Sequence, residues 1–164
     1  MFVFRRYKLI LAAALVGVLG AWATLANRRP TLTDPAEISK LPGDQLRDGE
    51  LEQLIRAAFL SASSVRIRSE TAPSITVTDP NQLADLANEF GVGFDKAELP
   101  MYRHPGLEYT RLTFDGPYNP EFVFTGPKEA LLLVGKPGHF RHFAVRTRFS
   151  LAVARLLGLK LAGP

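Results

Sequence analysis

Two histidines three positions apart are the first candidates for chemistry in this sequence. On a helix, His139 and His142 would lie on the same face, and two imidazoles at this spacing can begin a metal site. A structural zinc site needs four protein ligands, however, and a catalytic site typically needs three. No carboxylate follows Glu129, and Arg141 between the histidines would repel a cation. The pattern therefore predicts no metal site and no bound cofactor.

The remaining candidates for catalysis are dispersed along the chain. A small hydrolase-like enzyme would have to assemble its site from His104, Glu108 and the two histidines already named. The serines at 61, 63 and 64 lack the G-x-S-x-G pattern that exposes a nucleophile on a sharp turn, and no histidine or lysine neighbours them. The sequence contains no cysteine, so a thiol nucleophile is excluded. No residue is predicted to be catalytic.

A basic and aromatic segment, which begins at Phe140 and ends at Phe149, is the most distinctive part of the sequence. In one interpretation its arginines flank a core helix whose phenylalanines are buried. In a second it binds an acidic protein patch or anionic lipid head groups, and in a third it binds nucleic acid. The second interpretation predicts a partner or lipid surface formed by Arg141, His142, Arg146 and Arg148.

The distribution of charge argues against nucleic acid as the partner. The net charge is +4, but five basic residues precede Pro30, and the rest of the chain has 15 Lys and Arg against 16 Asp and Glu. Within that rest, residues 30–127 hold 8 basic and 15 acidic groups, whereas residues 128–164 hold 7 basic groups and one acidic group. Such asymmetry is expected at a partner surface, or between two halves that attract each other within one fold.

An uncharged hydrophobic segment precedes all of these residues and follows a basic flank, residues 1–8. It begins at Leu9 and ends at Ala26, and as a helix its 18 residues would span about 27 Å, close to the hydrocarbon thickness of a bilayer. An uncleaved anchor would use Trp22 at the interface. Alternatively, cleavage after Ala23 would remove the segment as a signal peptide and release a secreted domain. The position of the segment near the N-terminus predicts a single pass through the cytoplasmic membrane, with the domain outside the cytoplasm.

The rest of the chain reads as a linker, residues 27–42, followed by one soluble domain, residues 43–164. Apolar periodicity and caps at Asp48 and Asp79 predict helices at about 48–60, 80–90 and 142–157. Alternating patterns predict strands at about 65–68, 74–78, 107–114, 121–125 and 130–134, although 143–149 is also compatible with the start of a strand. Adjacent blocks of strands indicate an α+β fold with a mostly antiparallel sheet of about five strands and about three helices.

These observations together predict a membrane-anchored, non-enzymatic accessory or interaction domain. Its expected partners are the lipid bilayer, through residues 9–26, and a protein, with no nucleic acid. The alternatives are a small extracytoplasmic hydrolase-like enzyme with a dispersed site and a domain secreted after signal cleavage.

Overall fold

The computed structural model describes residues 29–93, 107–126, 129–133 and 139–159. The chain divides into two compact units, residues 1–31 and residues 32–164, and the fold described below is that of the second. In its described part, the α-helices are α1 (Pro35–Ile38), α2 (Asp48–Ser61), α3 (Pro80–Glu89) and α4 (Thr147–Leu156), with a short 3₁₀ helix at Gly43–Gln45. The strands are β1 (Ser64–Arg68), β2 (Ile75–Val77), β3 (Arg111–Asp115), β4 (Glu121–Gly126), β5 (Glu129–Leu133) and β6 (Phe140–Ala144).

All six strands form one antiparallel sheet in the order β2-β1-β3-β4-β5-β6. The predicted α+β class with an antiparallel sheet is therefore confirmed. The numbers differ from the prediction: within the described ranges the sheet has six strands rather than about five, and the α-helices number four rather than about three.

Helices α2 and α4 pack on one face of the sheet through phenylalanine side chains. Phe59 of α2 meets Phe114 of β3 at a ring-centroid distance of 4.8 Å, and Phe149 of α4 stacks on Phe124 of β4 at 6.2 Å. Phe90, directly after α3, lies edge-on to Phe149 at 5.1 Å. Each such pair contributes about 0.5–1.5 kcal/mol beyond the burial of its area. This inner face of the sheet, with the helices on it, is the hydrophobic core.

The start of α2 differs from the prediction that Asp48 caps it. Asp48 is the first helical residue, and the N-cap is Arg47, whose side chain has no hydrogen-bond acceptor. The Glu50 carboxylate instead accepts the Arg47 backbone N–H at 3.0 Å, which satisfies one of the free donors at the helix start. The start of α3 matches its prediction, because the Asp79 carboxylate accepts the Asn81 N–H at 3.0 Å and Pro80 takes the first helical position.

The predicted helix at 142–157 is wrong in its first part. Residues Phe140–Ala144 form a strand that pairs with β5 along its whole length, and the helix begins only at Thr147. Phe143 and Val145 are two positions apart and both buried, so the core selects the period of a strand here. Arg146 is extended, with φ −62° and ψ 141°, and marks the change from strand to helix.

The predicted strand at 107–114 begins later, at Arg111, because a turn occupies the preceding residues. The Thr110 N–H donates to the Leu107 carbonyl at 2.9 Å, and Tyr109 has a positive φ of 61°. Few non-glycine residues adopt this left-handed conformation, and it cannot continue a strand.

The predicted linker, residues 27–42, overlaps the compact unit from Leu32 onward. Ile38 of α1 is fully buried, and the Leu32 N–H donates to the Glu50 carboxylate at 3.1 Å. In the described ranges, no helix combines the length and the apolar composition needed to cross a membrane. The predicted membrane segment, which begins at Leu9, lies outside those ranges.

Candidate interaction surface

The structure does not bring the four residues of the predicted partner surface together. Arg141 and His142 are neighbours on β6, so their side chains leave opposite faces of the sheet. Arg141 is on the side of the core, where its guanidinium forms an ion pair with Asp48 at the start of α2. His142 is exposed on the other side, with its ring edge-on to that of Phe140 at a centroid distance of 6.0 Å.

The other two predicted residues, Arg146 and Arg148, lie beside α3 and the loop after it. The Arg146 N–H donates to the Gly91 carbonyl at 2.9 Å, and its side chain lies against Gly91 so closely that a Cβ there would be 2.6 Å from the Arg146 Nε. Arg148 Nε is 3.4 Å from Glu89 Oε2. The three arginines therefore connect β6 and α4 to α2, to α3 and to the loop after α3.

Two of these contacts join basic residues of the C-terminal part to acidic residues of the rest of the domain. Arg141 and Arg148, from the basic C-terminal part, pair with Asp48 and Glu89 of the acidic part. The His139 Nδ1 is also 3.6 Å from Asp44 Oδ1. This agrees with the interpretation that the two halves attract each other within one fold.

The candidate enzyme residues do not converge in the described part of the chain. His139 lies directly before β6 and its Nδ1 is 3.6 Å from Asp44 Oδ1, whereas His142 lies within β6 against the ring of Phe140. The two histidines are therefore not on one face of a helix, as their spacing suggested. Glu108 is exposed in the turn before β3, and His104 lies outside the described residues. In the ranges given above, no three His, Asp or Glu side chains are grouped so as to hold a metal ion.

The serine cluster has structural hydrogen bonds instead of a base. The Ser61 hydroxyl donates to the Ala57 carbonyl at 2.7 Å, within α2. The Ser63 hydroxyl is 2.8 Å from the carboxylate of Asp115 and 3.0 Å from its carbonyl oxygen, and it joins the start of β1 to the end of β3. These contacts are typical of a turn between a helix and a strand.

The face of the sheet opposite the helices is the surface that sequence reasoning missed. We call it the outer face. It consists of the strand residues that alternate with the core residues, and none of those described is buried: Ser64, Arg66, Arg68, Thr76, Arg111, Thr113, Asp115, Glu121, Val123, Thr125, Glu129, Leu131, Leu133, Phe140, His142 and Ala144. No described helix covers it.

The outer face is basic at one end and apolar at the other. Arg66 and Arg68 on β1 are exposed and form no ion pair with any described residue. The apolar end, on β4 to β6, consists of Val123, Leu131, Leu133 and Phe140, and Phe140 is 48% exposed. The alternation of residues 65–68 was the available signal, since it puts both arginines on the solvent side of a strand.

Both edges of the sheet are unsuited to pairing with a further strand. At the β6 edge, the Gly93 N–H donates to the Ala144 carbonyl at 2.8 Å, and Val92 forms a bridge to Val145. Nearby, Gly43 of the 3₁₀ helix approaches so closely that a Cβ there would be 3.1 Å from the His139 carbonyl oxygen. At the other edge, β2 has three residues only. Short and covered edges of this kind oppose strand addition.

A groove of about 730 Å³ separates α3 from α4. Asp85 and Glu89 line one side of it, and Arg148 and Arg155 line the other. The ion pair between Glu89 and Arg148 crosses the groove, so part of its charge is already neutralised within the domain. The groove contains no histidine, serine or threonine that could act as a base or nucleophile among its described lining residues.

Comparison with protein-family models, with curated proteins and with solved structures gives no match for this chain.

Proposed function

We propose that this chain is a membrane-anchored, non-enzymatic interaction domain that binds a protein partner on its outer face. The anchor is the uncharged segment from Leu9 to Ala26, which has the length of a membrane-spanning helix. The domain would lie outside the cytoplasm, because a hydrophobic segment close to the N-terminus usually directs export.

One observation carries the binding part of the proposal. The outer face has no buried residue and no covering helix in the described part of the chain, although it contains four apolar side chains and two arginines without an ion pair. Apolar groups that remain accessible to solvent beside charged groups are a common feature of surfaces that bind other proteins. The alternative enzyme has no comparable support, because those of its candidate residues that the structure describes, Glu108, His139 and His142, do not gather in one place.

The experiment is to determine the N-terminal residue of the mature protein and its partitioning between membrane and aqueous fractions. An uncleaved anchor should leave the protein in the membrane fraction after high-salt and alkaline washes, and only detergent should extract it. A mature chain that starts at Thr24 and is soluble without detergent would contradict the anchor and support the secreted alternative.

A further inference from the structure

The basic end of the outer face has an excess of positive charge where β1 pairs with β3. Arg68 of β1 is directly opposite Arg111 of β3, and like charges in that position destabilise a sheet. Glu121 on β4 compensates Arg111, with 2.8 Å between its Oε1 and the Arg111 Nε. Arg66 and Arg68 have no such partner in the described structure.

The other acids of the outer face are not available to these arginines. Asp115, at the far end of β3, is opposite Ser64 and binds the Ser63 hydroxyl at 2.8 Å. Glu129 is exposed at the start of β5, three strands away from β1 in the sheet order. Carboxylates supplied from outside the domain could therefore bind Arg66 and Arg68 without displacing an internal ion pair.

The apolar end is a continuous patch across three strands. Val123 is in register with Leu131, and Leu133 is in register with Phe140. Neighbouring strands are about 4.8 Å apart, so the patch from β4 to β6 is about 10 Å wide. An α-helix with its side chains is about 10–12 Å across, which matches this width.

The arginines are correctly placed to contact one flank of such a helix. β3 and β1 are the next strands beyond β4, so the backbones of Arg111, Arg68 and Arg66 lie about 5–12 Å from that of Val123, at the border of the patch. Glutamate or aspartate on the flank of a helix seated on the patch would reach them. On the inner face of the same sheet, α2 and α4 already pack in this manner.

An anionic bilayer is a poorer match for the same surface. Glu129 is exposed on the outer face and would be repelled by lipid phosphates. Val123, Leu131 and Leu133 are half-buried within the sheet, so among the described residues of this face only Phe140 is a large apolar side chain with high exposure, 48%. A patterned surface of opposite charges and a shallow apolar patch is better suited to a structured polypeptide.

We infer that the outer face binds an amphipathic helix of the partner protein, with the apolar stripe of that helix on Val123, Leu131, Leu133 and Phe140 and its acidic flank on Arg66 and Arg68. This inference rests on the proposed function and names the chemistry of the partner. In the proposed binding mode, apolar residues spaced three and four positions apart on the partner helix contact the hydrophobic surface.

The test uses the full chain in nanodiscs of phosphatidylcholine and a labelled synthetic peptide of about 18 residues, or about five helical turns. The peptide has leucine on one face and glutamate on the other, and a matched peptide has lysine in place of glutamate. Binding is measured by fluorescence anisotropy, and empty nanodiscs give the background. The glutamate peptide should bind above background and the lysine peptide should not.

Variants locate the binding on the molecule. R66E combined with R68E should weaken binding of the glutamate peptide at least about tenfold, because like charges then face each other. The same variant should bind the lysine peptide, because its two new carboxylates attract the lysine side chains. L131S should weaken binding of the glutamate peptide to the unmodified chain, and it should equally weaken binding of the lysine peptide to the R66E/R68E variant. The matched controls are R155E and L60S, which change an exposed arginine on α4 and the 67% exposed Leu60 on α2, and they should leave binding unchanged. Circular dichroism checks that each variant keeps its fold.

Equal binding by R66E/R68E and the unmodified chain would overturn the inference, as would equal binding of the two peptides. Binding of the variants and the parent to vesicles containing phosphatidylglycerol provides the lipid arm. If those vesicles bind in an Arg66- and Arg68-dependent manner and the glutamate peptide does not, the surface recognises lipid and the inference is wrong. Neither result changes the membrane partitioning that tests the proposed anchor, so failure of the two proposals is distinguishable.

Discussion

Glu50 connects two parts of the domain that are distant in sequence, and its removal should be costly. Its side chain is fully buried, with 0% exposure. One carboxylate oxygen accepts the Leu32 N–H at 3.1 Å and the other accepts the Arg47 N–H at 3.0 Å. One carboxylate thus joins the start of α2 to a residue 18 positions earlier.

The expected cost of E50A follows from these two bonds. A buried donor left without an acceptor costs about 1–3 kcal/mol, and hydrogen bonds to a charged group are worth about 1.5–3 kcal/mol each. Water can partly replace the carboxylate, because Leu32 is only half-buried and Arg47 is exposed. We therefore expect a loss of about 2–4 kcal/mol, a large share of the roughly 5–15 kcal/mol that stabilises a domain.

The measurement is urea unfolding of the full chain in nanodiscs, followed by circular dichroism, with E37A as the control. Glu37 binds Lys40 at 2.6 Å on the surface, where its side chain is 54% exposed. An exposed pair of this kind contributes little to stability, because water screens the two charges. The variant E50Q retains one acceptor oxygen and should be intermediate. If E50A and E37A lower the free energy of unfolding equally, the two backbone hydrogen bonds of Glu50 do not stabilise the fold as argued.

Two further predictions concern α2. G49A should raise the free energy of unfolding by about 0.5–1 kcal/mol, because a Cβ at Gly49 would meet nothing within 4 Å and alanine loses less entropy in a helix; a lower urea midpoint would contradict this. D48N and R141A should each destabilise the domain by up to about 1 kcal/mol and the double variant by less than their sum, because they remove the same ion pair. A double-mutant cycle measures this coupling, and strict additivity would show that the pair contributes nothing.

Much of the fold could be predicted because its signals are local. Asp79 and Pro80 mark the start of α3, and alternation between apolar and polar residues marks β1 and β2. The start of α2 could not be predicted in the same way. Aspartate is a common helix N-cap, but the Asp48 carboxylate binds Arg141, which is 93 positions away. The Glu50 carboxylate accepts the Arg47 N–H at the helix start instead.

Strand β6 was not the primary prediction, which placed a helix at 142–157 and gave a strand start at 143–149 only as an alternative, and the reason is related. The sequence from Phe140 to Phe149 satisfies a period of two, through Phe143 and Val145, and it also leads into the helical period of α4. Pairing with β5 favours the strand, because all five residues of Phe140–Ala144 are in register with residues of β5. A local pattern contains no information about a partner strand that is contributed by another segment.

The position of unpaired charge in the fold differs from the position of basic residues in the sequence. The C-terminal part has the highest density of basic residues, yet Arg141 and Arg148 pair with acids of α2 and α3, so the fold itself satisfies them. Arg66 and Arg68 belong to the acidic part, and neither forms an ion pair with any residue that the structure describes, because the pleat directs both away from the acids of the helical layer. A binding surface is therefore better inferred from charges that the fold leaves uncompensated than from charges that cluster along the chain.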